Sequence, residues 1–143
     1  LAPFVLFEPR LGPEAAERMN EALPQLLGTH DFRAFATTGG SGSTVRTLQA
    51  ARAVRRDSVV RVELTADGFL RSMVRIIVGW LLEIARGERP AADLRAALEG
   101  RFGPGAVATA APRGLFLVAA EYADGFPGEA LLTEARAWWP GGR

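Results

Sequence analysis

Apolar positions recur along the chain with two periods, near 3.6 and 2, and their succession lays out the elements. Phe4 to Phe7 is a short apolar run suited to a strand. Gly12-Pro13-Glu14 then opens a helix with proline at its first position and acids in its first turn. Ala15, Met19, Leu23 and Leu26 line one face, Pro24 interrupts or restarts the helix, and Gly28 ends it. Phe32 to Thr38 leads into Gly39-Gly-Ser-Gly-Ser43, whose composition predicts a flexible loop at 39–43. Val45 to Arg56 and Ser58 to Asp67 are extended runs. The second alternates, with Val60, Val62 and Leu64 on one face and Arg61, Glu63 and Thr65 on the other, and the pair reads as an antiparallel hairpin turning near Asp57. Gly68 releases the longest helix, Phe69 to Arg86, apolar nearly all round and therefore expected to be buried. Pro90 starts a short helix closed by Gly100, Leu115 to Tyr122 reads as an apolar strand, and Glu129 to Trp139 as an amphipathic helix. The order predicts an α+β fold, a largely antiparallel sheet with its helices packed on one face.

Composition narrows the function classes. A chain of 143 residues with 48% apolar and 23% charged residues is an ordinary globular domain, not a disordered tail or a collagen-like repeat. With no cysteine and a single histidine, His30, thiolate catalysis and any cysteine or histidine-cluster metal site are excluded, and no metal is expected. No run approaches the roughly 18 apolar residues of a membrane span. The start, Leu1-Ala-Pro-Phe, lacks the basic flank of a signal peptide, so a cytoplasmic location with no membrane partner is expected. The absence of an initial methionine suggests a piece of a longer product.

The net charge of +1 conceals an uneven distribution. Residues 1–32 hold two arginines against five acids, 33–75 eight against three, and 76–143 seven against eight. A basic middle fits a face that meets phosphate, and it equally fits a solvated strand pair.

The candidate chemistry centres on Arg75, in the middle of the long apolar helix. Its charge persists at any relevant pH, so burial demands an anion. Positions three and four away hold Arg71, Ser72, Val78 and Gly79, none of them acidic. The partner is either a distant carboxylate or a local acid such as Asp31 or Asp67, while Gly79 predicts an open slot beside the guanidinium. In Gly28-Thr-His30-Asp31-Phe32-Arg33-Ala-Phe35, the aromatics, His30 and Arg33 could contact a nucleotide, or Phe32 and Phe35 could staple a helix end into the core. The Gly/Ser loop is not a P-loop, since the Gly-Lys-Ser/Thr that must follow is missing from a chain without lysine.

Four segments in order resemble the C-terminal half of the tRNA pseudouridine synthase A (TruA) family. They are Gly28-Thr-His-Asp-Phe-Arg-Ala-Phe35, Thr44-Val-Arg-Thr47, Gly68-Phe-Leu-Arg-Ser-Met-Val-Arg-Ile-Ile-Val-Gly79 and Ala110-Ala-Pro-Arg-Gly-Leu-Phe-Leu117. The resemblance implies one half of a two-subdomain fold that isomerises uridine to pseudouridine in the anticodon stem-loop of tRNA. It implies no cofactor, and a target base flipped into the cleft between the halves. It assigns the catalytic arginine to Arg75, paired with an aspartate of the other half, and substrate contact to Leu115, Arg71 and Met73. RNA contact falls to His30, Phe32, Arg33 and Arg46. Ser72 stands where the family commonly has histidine. The aspartate motif of the family, Arg-Thr-Asp-x-Gly-Val-His, surrounds none of Asp31, Asp57, Asp67, Asp93 or Asp124. The chain alone is therefore expected to be inactive, with tRNA, the N-terminal half and a second copy as partners. The competing expectation is a non-catalytic RNA-binding or dimerisation module.

Overall fold

The structure is a computed structural model that describes Leu6 and residues 8–117. The chain divides into two compact units, Phe7–Ala111 and a second one to which the described residues 112–117 belong. The strand expected at Phe4 to Phe7, most of that at Leu115 to Tyr122, and the closing helix lie outside the described residues, and 115–117 carry no strand.

The larger unit is α+β. Helix α1 (Ala15–Ala22) buries Ala15, Ala16, Met19 and Ala22. Pro24 lacks the N–H that would continue an α-helix, and the chain tightens there into a 3-10 turn, Leu23–Leu26, which buries Leu23 and Leu26. A three-stranded antiparallel sheet follows in the order β1 (Gly28–Asp31), β2 (Val45–Arg56), β3 (Val59–Ala66). The hairpin turns at Asp57, whose φ of 51° is a conformation that Asp tolerates better than most residues. Its core face is the expected one: Val60, Val62 and Leu64 pack against the core. A register shift in β2 between Leu48 and Ala50 moves the inward positions from even to odd numbers, so Leu48 and Ala53 both point into the core.

β1 corrects the sequence reading, which placed Gly28–Asp31 at a helix end and its loop. The segment is too short and polar to show alternation, and it is a strand because β2 supplies its partner, pairing His30 with Arg46 and Asp31 with Val45. Beyond the end of β1, the backbone of Ala53 is bonded by a side chain instead. The Asn20 amide donates to its carbonyl at 2.7 Å and accepts from its N–H at 2.8 Å, which fixes α1 to the sheet.

Helix α2 (Met73–Ala85) begins one turn later than its apolar periodicity predicts. Ser72 adopts a left-handed φ of 62°, which stops helical hydrogen bonding from extending back to Phe69. The helix is also less enclosed than expected, since Val74, Arg75, Val78 and Leu82 keep partial solvent exposure. Its inner face carries Met73, Ile77, Trp80 and Leu81 into a core shared with Phe32 and Phe35. Trp80 meets Phe35 at 6.1 Å between ring centroids and Phe102 at 5.3 Å, and Phe35 meets Phe32 at 5.8 Å. Fully burying one such side chain contributes about 1.5–3 kcal/mol. Helix α3 (Asp93–Leu98) adds Leu94 and Ala97.

After α3 the chain recrosses α2, and Gly79 is where it does so. A Cβ at Gly79 would overlap the carbonyl oxygen of Ala108 and approach Val107 Cγ2 at 3.4 Å. The slot expected beside Arg75 is thus filled by the chain's own backbone. A backbone carbonyl cannot swing aside as a flexible side chain can, so Gly79→Ala is expected to destabilise the fold by about 1–3 kcal/mol. Denaturant unfolding of the two proteins checks this, and equal midpoints would refute the crossing.

Candidate functional site

Arg75 is held from both sides of its own residue. Its Nε donates to the carbonyl of Ala110 at 2.7 Å, and the N–H of Ala110 donates back to the Arg75 carbonyl at 3.1 Å. One turn along, Gly79 admits Ala108, and beyond the end of the helix the Nη2 of Arg89 donates to Ala106 O at 2.9 Å. Arg89 lies 4.9 Å above the Trp80 ring and 5.4 Å from that of Phe102, and also binds Glu83 and Asp93. Segment 106–110 is therefore a strap across α2, tied at the carbonyls of Ala106 and Ala110 and at the N–H of Ala110, with Ala108 packed on Gly79 between them. No carboxylate among the described residues forms an ion pair with Arg75. The local alternatives, Asp31 and Asp67, are engaged elsewhere: Asp31 with Thr44 and Arg33, Asp67 with the N–H of Thr47. Arg75 is half-buried rather than fully enclosed, and the polar group that meets its Nε is the Ala110 carbonyl.

A second feature lies on the same unit. The Gly/Ser loop and the segment Phe69–Arg71 wall a groove of about 520 Å³, with Arg33, Arg46 and Arg71 along it and no acidic residue among the lining described. The base of the loop is pinned by Asp31, which accepts from the Thr44 hydroxyl at 2.6 Å and the Arg33 N–H at 3.0 Å. The Thr44 hydroxyl foremost, then the Arg33 N–H and guanidinium, hold the Asp31 carboxyl below its ordinary value despite partial desolvation.

Residues 22–123 match the family described as tRNA pseudouridine synthase. The chain belongs to this family. It is 43% identical to the "tRNA pseudouridine synthase A" of Acetivibrio thermocellus over 107 residues, covering 74% of this chain and 44% of that protein. The protein of the same name from Anoxybacillus flavithermus is 43% identical over 100 residues, 69% of this chain and 41% of that protein, and the one from Brucella ovis 40% over 112 residues, 78% and 45%. The chain thus spans less than half the length of these relatives.

Within this tRNA pseudouridine synthase family member, the residues singled out from sequence do not form one cluster. Arg33, Arg46 and Arg71 come together on the groove. Arg75 stands apart on α2, because the reversal at Ser72 takes Arg71 off the helix, so the two do not share a helical ridge. Met73 and Phe32 are fully enclosed and pack as core side chains. His30 is half-buried, its Nε2 donating to the carbonyl of Leu27 at 2.7 Å and its ring edge-on to Phe32. Leu115 belongs to the other unit, where it is exposed. The sequence does not single out Phe69, which lies on the groove with 39% of its surface exposed, because its apolar side chain continues the period of α2. Nor does it single out Arg89, for which spacing to Glu83 and Asp93 is the available signal.

The lowered Asp31 titration gives a stability prediction with a definite sign. A carboxyl whose folded value lies below its unfolded value of about 3.9 contributes stability above that value and loses it as pH falls through the folded one. Asp31→Asn is therefore expected to be the less stable protein at neutral pH, the gap closing only as pH falls below about 4. Thermal midpoints of the pair across pH 2–7 would show this, and a pH-independent gap would exclude a role for the charge.

Proposed function

We propose that this chain acts as the C-terminal half of a tRNA pseudouridine synthase, contributing Arg75 to a site that an aspartate of the N-terminal half completes. The carrying observation is the state of Arg75. Its Nε is engaged by a backbone carbonyl, and no carboxylate of the described residues pairs with it. An arginine spent on a structural ion pair would show an acid in reach. One that must meet an incoming carboxylate needs a fixed side chain and a free guanidinium edge, and arginine alone among cations can be held at Nε while offering two further nitrogens.

In this reading the aspartate attacks the target nucleotide in the anticodon stem-loop of tRNA, and the uracil is detached and rejoined through carbon without metal or organic cofactor. Arg75 orients and stabilises the carboxylate by a charge-assisted hydrogen bond. Leu115 packs near the flipped base, and Arg33, Arg46 and Arg71, with His30 beside them, carry the RNA surface. Met73 and Phe32 support this surface from the core. Partner contact with the other half and with a second copy uses the outer sheet edges that β1 and β3 present among the described residues. Modification of tRNA places the protein in the cytoplasm, and among the described residues no helix is long and apolar enough to cross a membrane.

A second reading, a non-catalytic RNA-binding or dimerisation module, is favoured by one observation, the arginine-lined groove that Arg75 does not enter. Tritium release from tRNA labelled at uracil C5 separates the two. The chain alone is expected to release none, and a mixture with the N-terminal half of a related synthase to release tritium. Arg75→Met in that mixture should lower the rate by on the order of 10²-fold, the scale for losing one electrostatic partner. Tritium release by the chain alone, or an unaffected Arg75→Met mixture, would overturn the proposal; tRNA binding without release in any mixture would select the second reading.

A further inference from the structure

The strap across α2 has a regularity that points to a residue acting on Arg75 from a distance. Arg75, Gly79 and Glu83 follow one another along a single ridge of α2, at intervals of about 6 Å. The strap runs the opposite way along that ridge, two residues to each interval. Ala110 meets Arg75, Ala108 meets Gly79, and Ala106 reaches Glu83 through Arg89.

The strap does not hold this register by structure of its own, since residues 106–110 form neither helix nor strand. Ahead of it Phe102 packs on Trp80, and Gly103, Pro104 and Gly105 then lead in. A Cβ at either glycine would meet nothing within 4 Å, so close packing does not confine the entry. The backbone bond there runs from the Ala106 N–H to the Gly103 carbonyl at 3.3 Å and closes the loop on itself.

Arg89 supplies the tie from outside. Each of its nitrogens has its own acceptor: Nε the Glu83 carboxylate on α2, Nη1 the Asp93 carboxylate on α3 at 3.5 Å, and Nη2 the Ala106 carbonyl at 2.9 Å. The guanidinium lies over the Trp80 and Phe102 rings, and only 24% of the side chain is exposed. Two carboxylates and two rings fix a planar fork, and with it the direction of Nη2. The ion pairs already satisfy the charge of Arg89. The third bond, to a neutral carbonyl of a segment without regular structure, is the one that charge pairing does not require.

We infer that Arg89 is a positioning residue for Arg75. By fixing the entry of the strap it sets, together with Gly79, where the Ala110 carbonyl stands, and that carbonyl directs the Arg75 Nε. Its bearing on catalysis rests on the reading of Arg75 as the partner of an incoming carboxylate, for which small misplacements are costly. The coupling through the strap does not rest on that reading.

Hydrogen exchange of the full chain, followed by NMR, tests the coupling. Arg89→Met keeps an apolar stem against the rings and removes every donor. It is expected to speed exchange at the Ala110 N–H and the Arg75 Nε–H on the order of tenfold, the scale of one lost hydrogen bond. The Ala53 N–H, held by Asn20 on the sheet, should exchange as before. Asp93→Asn, which removes an ion pair and leaves the Ala106 bond, should leave Ala110 unchanged. Should Arg89→Met fail to fold, Arg89→Lys, a cation without the planar fork, carries the same expectation. Unchanged exchange at Ala110 would overturn the inference. So would equal acceleration at Ala53, which would make Arg89 a stabilising residue only, or equal acceleration by Asp93→Asn, which would assign the effect to the attachment of α3. In the mixture with the N-terminal half, Arg89→Met should lower kcat roughly tenfold with the KM for tRNA unchanged, and should cost nothing further when added to Arg75→Met. Additive losses would show that Arg89 does not act through Arg75 and would overturn its positioning role. Failure of the catalytic reading is separately visible, since Arg75→Met would then leave tritium release unaffected while the exchange effects of Arg89→Met persisted.

Discussion

The crossing of Ala108 over Gly79 is the constraint on which the site depends. Two backbone segments can approach this closely only where no Cβ intervenes, and α2 has its one glycine there. The strap that results delivers the Ala110 carbonyl to Arg75 Nε, so a packing fact about residue 79 becomes an orientation fact about residue 75. Arg89 closes the other end from a position stacked on Trp80 and Phe102. The aromatic core, the strap and Arg75 are thereby one connected arrangement. A side chain whose stem is fixed this way has little rotamer freedom left to lose when a partner arrives, which is the physical content of preorganisation.

The arginines sort by their surroundings more than by their number. Arg86 and Arg89 sit among Glu8, Glu83, Glu88 and Asp93, and these carboxylates hold both guanidinium groups more firmly protonated than usual. Glu63 is shared by Arg52, across from it on β2, and Arg61, two residues before it on β3. The groove arginines have one acid among them, Asp31, which itself anchors the loop through Thr44. A net charge of +1 therefore describes a molecule whose acids neutralise its structural cations and leave the groove positive. Exposed pairs contribute little to stability, so the consequence of this distribution is a local field, and fields direct anions.

How much of this is legible in the sequence depends on the range of the interaction. The β2–β3 hairpin was, because alternation and a turn at Asp57 are local. The inner face of α2 was, because Met73, Ile77 and Leu81 repeat at helical spacing. β1 was not, since four mostly exposed residues carry no pattern and acquire strand form from β2. The start of α2 was misplaced because Phe69 and Leu70 continue its apolar period while Ser72, a serine like any other in sequence, takes the left-handed turn. Gly79 signals space by its missing side chain, but what fills that space lies almost thirty residues away. The arginines of the groove were each visible; their meeting was a property of the fold.

That left-handed turn also explains how one short stretch serves two surfaces. Had Phe69 to Ala85 been a continuous helix, Arg71 and Arg75 would have stacked one turn apart and repelled each other along a single ridge. Ser72 carries a strained φ of 62°, a conformation that costs of order 1–3 kcal/mol for a non-glycine residue. In return Arg71 leaves the helix axis, its carbonyl takes the Thr37 N–H at 3.1 Å, and Phe69 turns out onto the groove. Arg75 stays on the rigid helix under the strap. Under the proposed function the separation divides the labour by stiffness: Arg75, which would meet a carboxylate in one geometry, is fixed by packing, while the arginines that would meet RNA phosphates are carried by a glycine-rich loop and a turn.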